Sequence, residues 1–256
     1  MPQNNWTRNE LILAFNLYCK TPFGRIHNRN PEIITLASLI GRTPNAVGLK
    51  MVNFAHLDPV HKARGISGMA HGGKGDLAVW NEFNNDWERL AFESEKLWAE
   101  RLGTPLQSAF FDDDLEIIPQ GKEREAIVKV RVNQSFFRAT VLSAYGFRCC
   151  ISGLAVPELL NASHIVPWAK DAANRVNPRN GLCLNALLDR AYDRGLLTIT
   201  PEYIIKVSKI IKDFPLQTSL NEWILAFDEK PMFLPTRFAP DPTLLSYHNE
   251  QIFRGL

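Results

Sequence analysis

The chain holds 256 residues, 45% of them hydrophobic and 22% charged, with a formal net charge of +2. That is the composition of a folded protein of one or two domains and argues against a disordered chain. No apolar run is long enough to cross a bilayer, and the opening MPQNNWTRNE lacks a secretion-signal pattern, so a cytoplasmic protein without a membrane partner is expected.

In chain order, the first helix is predicted to start at Thr7, where Thr7-Arg8-Asn9-Glu10 has the form of a capping box. Leu11, Leu13, Ala14, Leu17 and Tyr18 supply its apolar stripe, and Thr21-Pro22-Phe23-Gly24 ends it. Asn30 followed by Pro31 caps a second helix, which Gly41 closes. Thr43 caps a third that runs to Phe54. Two capped helices joined by a glycine turn fit a helix-turn-helix or a hairpin used only for packing. In the first case the N-terminal part of the later helix enters the major groove, making Arg42, Asn45 and Lys50 candidate DNA contacts.

Residues 64–75, RGISGMAHGGKG, read as a surface loop carrying Arg64, His71 and Lys74, without the pattern of a nucleotide-binding P-loop. Val79, Trp80, Phe83, Trp87, Leu90, Ala91, Leu97 and Trp98 recur at helical spacing and predict one amphipathic helix from Leu77 to Leu102. Gly103-Thr104-Pro105 stops it, and residues 105–120, with Asp112-Asp113-Asp114, read as a linker. Next comes a mixed segment in which Lys129, Arg131, Gln134 and Arg138 interleave with Phe136 and Phe137, fit both for core packing and for holding a phosphate backbone. Charge is uneven along the chain: residues 1–75 hold nine Lys or Arg against three Asp or Glu, and residues 76–115 hold three against ten. A basic front suits nucleic acid, though an excess of that size also occurs on ordinary domains.

The stretch NASHIVPWAKDAANRVNPRNGLCLNALLDRAYDRG, residues 161–195, carries the most chemistry. It sets His164 in the short apolar segment Ser163-His164-Ile165-Val166, then Asn180 ahead of Gly181-Leu182-Cys183-Leu184, then Asp189 and Asp193 one helical turn apart. A histidine takes a proton from water near neutral pH. Two carboxylates on one helix face repel each other and suit a hard divalent cation, Mg2+ or Mn2+. Taken singly, each residue has a plainer reading: His164 as a hydrogen-bonded core histidine, Asn180 as an Asn-Gly turn residue, and the Asp-Arg pairs as a solvated helix face.

The joint spacing resembles the HNH endonuclease family and its ββα-metal finger, and Asp189-Arg190-Ala191-Tyr192-Asp193-Arg194-Gly195 is similar to the DRxFDRG signature of a restriction-like subgroup. The resemblance implies that His164 is the general base, Asn180 the residue that holds its loop, and Asp189 and Asp193 the metal ligands, with imidazole and carboxylates converging on one cation. Arg190 and Arg194 are implied as phosphate clamps, and Arg131, Gln134 and Arg138 as cleft residues. Two departures stand out. Ser163 occupies the position before the histidine where many relatives have Asp or His, and both helix ligands are Asp, so water or a carbonyl would complete the coordination. Cys19, Cys149, Cys150 and Cys183 form no C-x-x-C pair, so no structural zinc site of the kind some relatives carry is expected.

After Gly195, Leu197-Thr198-Ile199-Thr200 and Tyr203-Ile204-Ile205-Lys206-Val207 read as strands, and the aromatic-rich tail is expected to wrap the finger. The expected class is α+β: a helical, helix-turn-helix-like domain over residues 1–104, the linker over 105–120, and a ββα-metal (HNH) domain over 121–256. The implied activity is metal-dependent endonucleolytic cleavage of double-stranded DNA of restriction or defence type, with a homodimer expected for double-strand cutting. A DNA-binding module with a dead site, or a nuclease for RNA or branched DNA, are the rival readings.

Overall fold

A computed structural model describes residues 5–63, 73–106, 122–215 and 217–255. The chain divides into two compact units, residues 1–136 and 137–256. Arg64, His71 and most of the expected linker lie outside the described residues.

The first unit is helical. Helices α1 (Arg8–Lys20), α2 (Pro31–Ile40), α3 (Pro44–Leu57), α4 (Pro59–Ala63), α5 (Lys74–Phe83), α6 (Trp87–Leu102) and the first part of α7 (Lys122–Ala144) make it up. The caps are those the sequence announces. Thr7 and Glu10 complete a reciprocal capping box, Asn30 accepts from the Glu32 amide, and Thr43 from the Ala46 amide. The expected single helix over Leu77–Leu102 is two, because Asn84-Asn85-Asp86 interrupts it and Asp86 caps a new start through the Arg89 amide. Short polar side chains that bond the backbone compete with helix continuation even inside an apolar stripe. Phe15 sits at the centre of the core, its ring 4.8 Å from Phe54 and 5.3 Å from Trp80.

In the second unit, β1 (Leu160–His164) pairs antiparallel with β2 (Gly181–Asn185), and α8 (Ala186–Asp193) follows directly, capped by Asn185. This is the expected ββα order. The first strand begins three residues earlier than the sequence suggests and ends at His164, with that histidine opposite Gly181. A second hairpin, β3 (Leu197–Ile199) with β4 (Ile205–Val207), comes next. Two short helices, α9 (Lys209–Lys212) and α10 (Thr218–Trp223), lead to α11 (Pro242–Gln251). Their shared core runs from Phe137 and Val141 on α7 through Leu160, Leu182 and Leu184 to Leu188, Tyr192 and Leu245.

Two glycines are required by close approach. A side chain on Gly181 would run into Val141 and Phe137, so its absence lets α7 lie against the strand at the level of His164. Gly195 has φ +66°, and a Cβ there would collide with the Ile252 carbonyl; the Arg254 amide donates to the Gly195 carbonyl at 2.8 Å. The tail thus closes over the end of α8, as expected. Gly146 shares the left-handed backbone, at φ +61°, yet faces open space. Gly195→Ala should therefore cost on the order of 3 kcal/mol in urea unfolding, from strain and overpacking together, and Gly146→Ala only about 1 kcal/mol. Equal losses would show that packing of the tail against Gly195 contributes nothing.

Candidate active site

The hinge of the site is Asn180, which has no exposed surface. Its Oδ1 accepts from the Val166 amide at 2.8 Å, and its Nδ2 donates to the carbonyls of Val166 and Asn174, each at 3.1 Å. Its own carbonyl accepts from the Ile165 amide at 2.9 Å. These bonds take over where the β1–β2 ladder stops, which is why the strand ends at His164 and the chain swings out as a loop. A buried amide makes such a clamp because it offers donors and acceptors together.

That loop returns to the histidine. His164 Nε2 lies 2.9 Å from the Arg175 carbonyl. A carbonyl only accepts, so Nε2 carries the proton and Nδ1 keeps its lone pair. The imidazole stacks on Phe137 with centroids 3.8 Å apart and planes 9° from parallel, and meets Trp168 edge-on at 5.6 Å. Burial lowers its pKa below the ordinary histidine value, and the Arg175 carbonyl offsets part of that. The ring is held, oriented and uncharged at neutral pH.

Asp189 and Asp193 project from α8. Asn161 Nδ2 donates to Asp189 Oδ2 at 2.8 Å. The carboxyl of Asp193 is pushed up, first by partial desolvation and then by the charge of Asp189, while Arg190 and Arg194 pull it back. Strand alternation puts Asn161 and Ser163 on one face of β1 and His164 on the other. Ser163 is buried and its hydroxyl has no hydrogen-bond partner. Among the described residues no three His, Cys, Asp or Glu side chains form a metal-holding group. His164, Asp189 and Asp193 therefore do not form the expected ligand cluster; Asp189 is instead engaged by Asn161, which strand alternation puts on the opposite face of β1 from His164.

The pair still fits a hard cation. Two facing carboxylates, one raised by the other, lose that repulsion when a cation sits between them, and Mg2+ keeps most of its own waters when few protein ligands are offered. Asp189 already has one oxygen engaged by Asn161, which fixes its orientation.

The other expected contacts divide in two. Arg42 is tied to Glu10 at 3.0 Å and to the Asn5 carbonyl, and Lys50 to Asp76 at 2.9 Å, both cations being mostly covered. Internal carboxylates thus consume the two charges expected to face DNA. Asn45, Gln134, Arg138, Arg190 and Arg194 are exposed, and Arg131 is half-buried. Sequence reasoning read Phe137 as a packing residue but missed Asn161, Trp168 and Arg175, because none has a fixed spacing that marks it. It also missed His248, which stacks on Tyr192 at 3.7 Å between the two aspartates of α8, with one ring nitrogen 3.2 Å from the Tyr192 carbonyl and the other 2.8 Å from Thr198 Oγ1.

Residues 149–200 match the model of a family described as HNH endonuclease. The chain thus carries an HNH domain behind a helical N-terminal part. No curated protein matches the chain.

His248 gives this region a pH dependence, since burial lowers its pKa to about 4. Between about pH 6.5 and pH 4 the unfolded chain takes up a proton that the folded one refuses, so stability falls as pH falls through that window. His164 acts in the same direction. The His248 share, a few kcal/mol from the linkage relation, should disappear from the unfolding free energy of His248→Gln, leaving a flatter profile between pH 6.5 and 4. An unchanged profile would mean that His248 is not neutral and buried.

Proposed function

We propose that the protein is a metal-dependent endonuclease that hydrolyses phosphodiester bonds in double-stranded DNA. The observation that carries this reading is the imidazole of His164, fixed by the Arg175 carbonyl so that Nδ1 keeps its lone pair, within a ββα unit whose helix bears the carboxylates of Asp189 and Asp193. A water approaching Nδ1 gives up its proton as its oxygen attacks phosphorus. Asn180 contributes by holding both ends of the loop that supplies the Arg175 carbonyl, so the ring cannot turn away. Asp189 and Asp193 are the residues that would hold the ion, with Asn161 orienting the first. When bound, Mg2+ or Mn2+ supplies charge neutralisation at the phosphate and at the departing oxygen. Exposed Arg138, Arg190 and Arg194 are available to the DNA backbone. A restriction or defence role, a dimer acting on two strands and a DNA-reading N-terminal part complete the proposal; Asn45, exposed at the start of α3, is the candidate there.

The test is nicking of supercoiled plasmid by the full chain in Mg2+, Mn2+ or EDTA. The expected result is cutting that needs metal, falls by about 10²–10⁴-fold in His164→Ala, and has its acid limb below the ordinary histidine pKa. Asp189→Asn should raise the metal concentration needed for half-maximal rate, and Asn161→Leu should do so by about 10–100-fold, the usual effect of removing a partner that orients a ligand. Cutting in EDTA at the full rate, or cutting undiminished in His164→Ala, would overturn the reading. Binding of duplex without any cutting would mark a DNA-binding module instead.

A further inference from the structure

We propose that Arg175 is the residue that grips the phosphate at the cleavage site, with Trp168 as its platform; the inference rests on the nuclease reading above. Arg175 Nε donates to the Trp168 carbonyl at 2.8 Å, and the guanidinium carbon lies 5.6 Å from the Trp168 ring centre. The imidazole of His164 meets the same indole from its edge at 5.6 Å, and the Arg175 carbonyl is the group that holds that imidazole. One residue thus fixes the base through its backbone and sets a cation against the same indole through its side chain.

The cation is available. Asp171 is the one carboxylate between Ile165 and Asn177, and it is already committed to the Ala173 and Asn174 amides at 3.0 and 3.2 Å and to the Asn174 side chain at 2.6 Å. Among the described residues Arg175 has no carboxylate partner and its two terminal nitrogens have no protein acceptor. A guanidinium fixed at Nε presents those nitrogens as a planar fork, the geometry that matches two phosphate oxygens. It costs little ordering entropy on binding, because stacking and the Nε bond have already restricted it. Arg190 and Arg194, the cations the sequence puts forward for this task, instead flank Asp189 and Asp193 and draw down the Asp193 pKa.

The test uses the full chain in two assays. Plasmid nicking in saturating Mg2+ compares wild type, Arg175→Ala and Arg175→Lys. Binding of a fluorescent duplex in EDTA, over a series of KCl concentrations, compares His164→Ala with His164→Ala/Arg175→Ala. Loss of a transition-state phosphate contact predicts nicking lower by about 100–1000-fold in Arg175→Ala. Loss of one phosphate contact also predicts a salt-dependence slope reduced by about 0.9. Arg175→Lys should restore the slope but less than about a tenth of the rate, since a point charge lacks the fork. A variant that only disturbed folding would not change the slope by one phosphate. Arg175→Ala with nicking within about threefold of wild type and an unaltered slope would overturn the inference while leaving the nuclease reading intact. Wild-type protein that neither cuts nor binds duplex would overturn both.

Discussion

The site depends on one buried amide. Asn180 has no exposed surface and spends its side chain on the backbone of the loop after β1, pairing with Val166 on both sides and with Asn174. Without it, the amide and the carbonyl of Val166 would be left buried without partners, each costing about 1–3 kcal/mol. Because the clamp closes the loop on itself, the Arg175 carbonyl returns to the end of the strand and meets His164 Nε2. The orientation and protonation of the imidazole therefore follow from an asparagine sixteen residues downstream whose side chain bonds the loop rather than the ring.

Around that clamp the domain separates tasks by the faces of one short hairpin. The imidazole lies on the face covered by α7, against Phe137, where burial keeps it neutral. Asn161 and Ser163 lie on the other, where Asn161 engages Asp189. Adjacent residues on a strand point to opposite sides, so a base and the groups serving a cation can be neighbours in sequence without competing for the same ion. Gly181, opposite His164, lets α7 approach, and Gly195 lets the C-terminal tail press on the end of α8. His248 completes the buttress by stacking on Tyr192, between the two aspartates.

Much of this was legible in the sequence. The caps at Thr7, Asn30 and Thr43 follow from local patterns of polar and apolar residues, whereas the ββα order and the partnership of Asn180 with the loop after His164 were implied by the spacing that resembles the HNH family. Three features were not. The break at Asn84-Asn85-Asp86 lies inside a continuous apolar stripe, so periodicity overrode cap chemistry in the reading. The pairing of Arg42 with Glu10 and Lys50 with Asp76 joins residues 32 and 26 positions apart, a separation no local signal encodes; basic residues in a front third read as a nucleic-acid face are in part internal counter-ions. Trp168 and Arg175 lie in a loop whose spacing carries no period, and their roles emerge only when the loop is closed by Asn180. The match over residues 149–200 covers the hairpin and α8, the part whose spacing was readable, and omits Phe137 and His248, which bear on it from outside.

The most direct measurement is of the imidazole itself. Nitrogen-15 NMR of the side chain, assigned with His164→Gln, reports which ring nitrogen bears the proton and at what pH the second one arrives. The account predicts a neutral ring protonated at Nε2, hydrogen-bonded and slow to exchange, that accepts its second proton below the ordinary histidine pKa. A ring protonated at Nδ1, or one rotating freely with an unshifted pKa, would contradict it.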